Sequence, residues 1–529
     1  MGVASTQIWS GKPARRPRHP SYRMPDTRIS RHSLLDKLPD FLNAQRWFGG
    51  KARGLRSLDI LDSIPMWDER VTADLALVEV HYADRYPDET YAIPLLPGDD
   101  LRDALREPAF LTLLLKSIEH GRLFKGEHGD LFANPSSAYR SSGSSGELRP
   151  KLVASEQSNS SVIFEDRYIL KLLRQAGEGL NPELEIGTFL TERAQFKHVP
   201  ALTGSMLYRG HNGSLRTLGI LQSFVANQGN AWEYTLQELA AYFARTAQNG
   251  TQTGSTVQPS GRGAGAAGEQ LGTYLEAADL LGRRTAELHL ALASDPDDPE
   301  FAPEQFSEPY RKLFRRSSAE QCERVFETLD RQAAHLPPNA IGSARQVHDL
   351  RPAIEERFRS FGTGADGGVR IRIHGDYHLG QVLRAGGDFV IIDFEGEPAR
   401  PLAERRAKHS PLQDVAGMLR SFHYAAVKGM RDWIAASGTE TNGATDAVAG
   451  ADWQSRASFW KDSASRQFLN AYLATAHAGR FLPGSPEGVH NMLGAYLLSK
   501  AVYELGYELN NRPDWVIIPL SGILDIMGR

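Results

Sequence analysis

The sequence predicts an α+β fold in three successive parts: an N-terminal helix-plus-sheet cap domain, a β-rich lobe and a mostly helical lobe. Three observations predict it. The first half carries short β-branched or aromatic runs bounded by turn residues, such as "DLALVEVHYAD", "ETYAIPLL" and "RYILKLLR". The second half places apolar residues at three- and four-residue spacing, as in "LGTYLEAADLLGRRTAELHLALAS" and "PLQDVAGMLRSFHYAAVKGM". Within that helical half lies one polar segment framed by β-formers, "IRIHGDYHLGQVLRAGGDFVIIDFEG", residues 371–396.

In chain order, residues 1–28 read as a disordered basic tail, with Lys12, Arg15, Arg16, Arg18 and Arg23 and no apolar stretch of signal-peptide type. The cap spans 29–118. It opens on an amphipathic helix, "RHSLLDKLPDFLNAQRWF", which the sequence breaks at Pro39, and continues with two strands, 74–84 and 89–96, joined through "RYPD". The β-rich lobe with its intermediate segment spans 119–222. It starts with a Ser/Gly linker, "NPSSAYRSSGSSGELRP", followed by the strand meander "KLVASEQ", polar "SNSS", "VIFED" and "RYILKLLR". The helical lobe spans 223–529 and contains a Gly/Ser/Thr-rich insertion at 245–268 that cannot bury a core. It ends in the helix "LLSKAVYELGYELNNR".

Composition narrows the classes of function. The 529 residues are 41% hydrophobic and 23% charged, ordinary for a globular protein, and the formal charge of -4 offers no basic stripe for nucleic acid. No run of 18 uncharged apolar residues exists to span a membrane. Thr6 after Met-Gly is the sole hint of myristoylation, and no second membrane signal accompanies it. One cysteine, Cys322, excludes an intrachain disulfide framework and fits a reducing, cytoplasmic setting; its helical context reads as a buried, inert thiol.

The 371–396 segment reads as strand Val369–Ile373, polar loop, strand Gln381–Arg384, a Gly386-Gly387 turn and a buried run Phe389–Ile392. Such a hairpin draws the loop after Ile373 toward the loop after Ile392, so Asp376, Gln381 and Asp393 converge. Two carboxylates and a carboxamide suit a hard cation such as Mg²⁺. In a phosphoryl-transfer division of labour, Asp376 takes the proton of an attacking hydroxyl while Gln381 and Asp393 hold the metal. His374 and His378 read as groups that pack and orient the loop. A purely structural polar hairpin is the competing reading. Lys171, flanked by Ile169, Leu170 and Leu172, needs a partner if its strand is buried; Glu185, one turn into a helix that Pro182 starts, is the expected one. A β-rich lobe, then a helical lobe carrying the carboxylate hairpin, is the outline of a kinase.

The motifs "HGDYHLGQV", "VIIDFEGEPARPLAERRAKHSPLQDVAGMLRSFHYA", "EQSNSSVIFEDRYILKLLRQAGEGLNPELEIG" and "QRWFGGKAR" resemble those of bacterial maltokinases, within the protein-kinase-like superfamily that includes aminoglycoside phosphotransferases. The resemblance runs from about residue 29 to the C-terminus. It implies a bilobal protein-kinase-like fold behind the cap, ATP and Mg²⁺ as cofactors, and transfer of phosphate to the anomeric hydroxyl of maltose. The product, maltose 1-phosphate, feeds α-1,4-glucan (glycogen) synthesis linked to trehalose metabolism.

Carried over, the resemblance makes Asp376 the base, Gln381 and Asp393 the Mg²⁺ ligands, and Lys171 with Glu185 the pair that steadies the ATP phosphates. Asp414 would hydrogen-bond the catalytic loop. No G-x-G-x-x-G loop is present; "SEQSNSS" stands in its place, with Ser158, Asn159, Ser160 and Ser161 as donors to phosphate. No segment resembles trehalose synthase, to which similar kinases are sometimes fused, so a free-standing chain with a functional link to that enzyme is expected, and a monomer is assumed.

For the sugar, a set of carboxylates, Arg and aromatic rings is expected. The last helix offers Tyr503 and Tyr507 on one face, Glu504, Glu508 and Arg512 on the next, and Trp515 beyond Pro513. An i,i+4 pair of Glu508 with Arg512 among core aromatics is the competing reading. Other readings of the whole chain are a kinase of glucosamine or an aminoglycoside, or a pseudokinase that binds without catalysis.

Overall fold

The computed structural model describes residues 31–528 except 85–86, 142–145, 154–158, 253–270, 363–366, 399 and 438–443. The basic tail, Ser158, the first half of the "RYPD" turn and most of the 245–268 insertion lie outside the described residues. The chain divides into two compact units, 1–226 and 227–529.

In the first unit α1 (Arg31–Ala44) runs straight through Pro39. This corrects the expected break. Leu34, Leu38 and Leu42 recur at four-residue spacing and are all buried, packing against Val78, Val80, Ile93 and Leu95 of the cap sheet. Burial along that stripe outweighs the hydrogen bond that proline forfeits. The antiparallel cap sheet has the order β1–β2–β3–β4: β1 (Leu55–Trp67), β2 (Thr72–Tyr82), β3 (Glu89–Leu96) and β4 (Arg102–Asp103). Sequence patterning misses β1, whose Ser, Asp and Pro65 dilute its β-formers. Its place at the sheet edge is where a proline is tolerated.

A second antiparallel sheet, of seven strands, follows in the order β5–β6–β10–β11–β9–β8–β7. These are β5 (Leu123–Lys125), β6 (Gly129–Pro135), β7 (Pro150–Leu152), β8 (Asn159–Phe164), β9 (Tyr168–Leu173), β10 (Leu202–Gly210) and β11 (Leu215–Ser223). The helix α2 (Pro108–Glu119) fills the space beside it, and one apolar cluster joins Ile64 and Leu77 of the cap sheet, Phe110 and Leu113 of α2, and Leu131, Val162, Leu170 and Leu221. Two expectations are corrected here. The supposed Ser/Gly linker is ordered at its start, as the end of β6 and a short helix, Ser137–Ser141, because Tyr139 buries its ring against Tyr168 at 5.1 Å. Asn159, Ser160 and Ser161 belong to β8 rather than to a loop. Helix Pro182–Thr188 then starts with Pro182 in its first turn and Asn181 as its cap.

The second unit is built from long helices: Ala231–Gln252, Tyr274–Leu292, Glu308–Gln332, Leu412–Ser437, Ala444–Ala476 and Pro486–Asn511. The first of these takes in residues 245–252, assigned above to the insertion. Thr246, buried and hydrogen-bonded to Tyr242 O, shows why its last turns hold. Cys322 is fully buried, and burial pushes its thiol up to about 11, in keeping with an inert side chain. No helix among the described residues is long and apolar enough to cross a membrane.

Candidate functional site

In the second unit, after the two-residue strands β12 (Glu304–Gln305) and β13 (Val369–Arg370), strands β14 (Val382–Ala385) and β15 (Asp388–Ile391) form a hairpin, one residue out of step at each end with the expected limits. Gln381 is drawn instead into a short helical turn, Leu379–Gln381. Ala385 pairs with Asp388, so Gly386 and Gly387 form a two-residue turn with φ of 58° and 87°, which only glycine adopts without strain. Arg284, from helix Tyr274–Leu292, grips Asp388 with both Nε (2.9 Å) and Nη2 (2.7 Å) and so fixes the hairpin from behind.

The loop after Ile373 is fastened at every backbone position that matters. Asp414, buried in the first turn of helix Leu412–Ser437, accepts from the N–H of His374 (2.8 Å) and of Gly375 (2.9 Å). His289 Nε2 donates to the same carboxylate at 3.1 Å, and its Nδ1 meets the Tyr472 hydroxyl at 2.9 Å. Burial alone would raise the Asp414 pKa, but the His289 hydrogen bond, the charges of His289 and His374 and the Gly375 N–H outweigh it and hold the carboxyl below its usual range. One helical turn on, a Cβ at Gly417 would lie 2.5 Å from Tyr377 O, so the helix can approach the loop this closely only with glycine there. His374 is buried, and its Nε2 donates to Ile392 O at 2.9 Å, tying the loop to the end of β15. His378 accepts from Gly380 N–H at 3.0 Å.

These ties draw the loop that carries Asp376 to the end of the hairpin and set Gln381 against Asp393. Gln381 Nε2 donates to Asp393 Oδ2 at 2.8 Å, which sets a carboxamide beside a carboxylate, two groups with oxygen donors of the kind a hard cation takes. Asp393 has φ 67°, a left-handed backbone rare for a residue with a side chain and concentrated where function imposes it. Asp376 lines a cleft that opens to solvent. There its Oδ1 lies 3.6 Å from Lys500 Nζ. Glu397 lies 3.6 Å from the same ammonium and accepts from the Tyr503 hydroxyl at 3.0 Å.

Of the sugar-site set read from the last helix, Tyr503 lines this cleft. The other five sit elsewhere. Glu504 is held by Arg420 at 2.7 Å, Glu508 accepts from Tyr424 (3.0 Å) and pairs with Arg512 (2.6 Å), and Trp515 stacks on Tyr424 with ring centroids 6.3 Å apart. Arg512 lies over Tyr507, which is 46% exposed. A helix turns 100° per residue, so Glu504 and Glu508 swing toward helix Leu412–Ser437 while Lys500 and Tyr503 reach the cleft. Sequence reasoning missed Lys500 and Glu397. The signal was available: Lys500 stands three residues before Tyr503, and Glu397 lies just past the hairpin.

In the first unit, Lys171 donates to Glu183 Oε2 at 2.9 Å; its carboxylate partner here stands two residues before the expected Glu185. Glu183 stands in the first turn of helix Pro182–Thr188 and turns to β9. Glu183 also accepts from Gln222 Nε2 at 3.3 Å, while its own N–H is capped by Asn181 at 2.8 Å. Ser161 pairs with Lys171 across the ladder, whereas Ser160 points to the other face and accepts from Arg174 Nε at 2.9 Å. The Ser160 hydroxyl thus already serves the buried Arg174–Asp103 pair.

Comparison with known families agrees with this arrangement. The phosphotransferase enzyme family matches residues 150–459, more than half of the chain. The chain belongs to that family. The maltokinase N-terminal cap domain matches residues 41–124 of this phosphotransferase-family chain. A glucosamine kinase of Streptacidiphilus jiangxiensis is 27% identical over 248 residues, 47% of this chain and 48% of that one. A glucosamine kinase of Mycolicibacterium smegmatis is 26% identical over 376 residues, 70% of this chain and 78% of that one. This phosphotransferase thus spans about half the length of the first relative. Among solved structures, a glucosamine kinase in complex with glucosamine, ADP and inorganic phosphate superposes with a TM-score of 0.61 at 19% identity, covering 95% of this chain and 100% of that one, which establishes a shared fold.

Proposed function

We propose that this phosphotransferase moves the γ-phosphoryl group of ATP to the anomeric hydroxyl of maltose, giving maltose 1-phosphate and ADP. The observation that carries the reading is the division of the three polar side chains. Asp376 faces an open cleft with a polar wall, while Gln381 and Asp393 sit side by side on a braced hairpin with oxygen donors of the type Mg²⁺ takes. Mg²⁺ held there would neutralise charge on the transferring phosphate. Asp376 accepts the hydroxyl proton as the sugar oxygen bonds to phosphorus and the bond from phosphorus to the ADP oxygen breaks. Lys171, steadied by Glu183, is assigned to the nucleotide phosphates, with Asn159 and Ser161 near it on β8.

The maltokinase-type cap supports maltose as acceptor and, with it, a place in α-glucan synthesis beside trehalose metabolism. The names of the two curated relatives favour a second reading, glucosamine as acceptor. ADP release with Mg-ATP over a panel of maltose, glucose, glucosamine and an aminoglycoside separates the two, with phosphorus NMR identifying an anomeric phosphate. Turnover of glucosamine or the aminoglycoside with none of maltose removes the first reading and leaves the roles of Asp376, Gln381 and Asp393 standing.

A further inference from the structure

The acceptor cleft contains a cation of its own. We infer that Lys500, shared by Asp376 and Glu397, makes the cleft selective for neutral sugars and turns away amino sugars. The inference rests on the reading of this cleft as the acceptor site.

Lys500 Nζ is 3.6 Å from Asp376 Oδ1 and 3.6 Å from Glu397 Oε2, and it stands over the Tyr503 ring at 5.0 Å. Tyr503 completes the arrangement by donating its hydroxyl to Glu397 Oε1 at 3.0 Å. Burial pulls the lysine pKa down, but the charges of Asp376, Glu397 and Glu504 more than offset this, and the ammonium stays protonated. Charges along the cleft wall are closely matched. Asp376, Glu397 and Glu404 face Lys500, Arg400 and Arg405, and the further carboxylate, Asp414, is occupied by the His374 and Gly375 amides and by His289.

A substrate ammonium needs a carboxylate not already neutralised. Beside Asp376 it would meet Lys500 instead, and like charges held close in a cleft repel. A neutral hydroxyl fits the same position well, because it can accept from Lys500 and donate to Asp376 or Glu397. The two sugars that test this most directly are glucose and glucosamine, which differ only in hydroxyl against ammonium at one carbon.

The experiment measures kcat/KM with saturating Mg-ATP for maltose, glucose and glucosamine in the wild type, Lys500→Met and Lys500→Arg, with melting curves to confirm folding. The wild type is expected to favour glucose over glucosamine. Lys500→Met should lower that ratio on the order of tenfold or more, and Lys500→Arg should keep it. Wild-type preference for glucosamine overturns the inference, as does an equal loss on all three sugars in Lys500→Met, which would place the lysine on the phosphoryl group; both outcomes leave the kinase reading intact. Failure of every sugar in the panel to stimulate ADP release would instead bring down the kinase reading, and the inference with it.

Discussion

Helix Pro486–Asn511 offers two neighbouring regions of similar composition and opposite character. Lys500 and Tyr503 look onto the cleft, where their partners are Asp376 and Glu397. From one turn later, Glu504, Glu508 and Arg512 are likewise charged, but Arg420 and Tyr424 answer the two glutamates inside the fold. Charge and aromatic content therefore do not locate a site. What distinguishes the regions is whether a polar side chain finds its partners within the packed core or in a cleft that a ligand can enter.

The largest effect that can test this contrast is loss of the base. Asp376→Asn should reduce phosphoryl transfer by roughly 10²- to 10⁴-fold and leave Mg-ATP binding nearly unchanged, because the carboxylate takes a proton and holds no metal. Turnover beside calorimetric titration with Mg-ATP measures both. Near wild-type turnover would take Asp376 out of its role.

On the core side, Glu508→Ala leaves Tyr424 without its acceptor and Arg512 without its ion pair. Stability should fall by about 2–4 kcal/mol in denaturant titration, with KM values for surviving protein little changed. A rise in KM for the sugar at unaltered stability would put Glu508 in the acceptor site after all.

The pH dependence sharpens the same division. Burial, helped by the positive charge of Arg400, lowers His409 to about 4 in the folded chain, against about 6.5 when unfolded. The unfolded state therefore gains a proton first, and the stability from keeping this ring neutral is complete above pH 6.5 and lost as pH falls to about 4. His409→Gln should flatten the stability profile over that window, whereas Lys500→Met should not. An unchanged profile in His409→Gln would show that other groups set the slope.

The smallest effect belongs to Tyr507, 46% exposed beyond the cleft. Tyr507→Ala should change stability by only about 0.5 kcal/mol and leave KM for the sugar alone, while Tyr503→Phe should raise that KM without altering the KM for ATP. The reverse pattern would move the acceptor from the cleft to the 507–515 face.

Much of the fold was legible in the sequence. Periodicity located β2, β3, β9 and four of the long helices but not Ala231–Gln252 or Ala444–Ala476, and the Gly386-Gly387 turn fixed the hairpin register within one residue. Patterning failed where context overrode local preference: at Pro39, carried inside α1 by three buried leucines; along β1, too polar to read as a strand yet paired at an edge; and at Asn159–Ser161, drawn into β8 by its neighbours. The loop proposed as catalytic was legible because its polar residues are local. Asp376, Gln381 and Asp393 lie within 18 residues of one another, and hairpin geometry alone makes them converge.

Partner choice between distant segments was not legible. The sequence by itself determined the α+β order, the hairpin and the types of group available for phosphoryl transfer, because turn chemistry and hydrophobic period act over a few residues. Tertiary structure decided that Lys171 has Glu183 as a partner, that His289 stands behind Asp414, and that Lys500 rather than Glu504 reaches Asp376. Each of these choices depends on the rotation of one helix against an element far away in the chain. Packing fixes that rotation, and no local pattern records it.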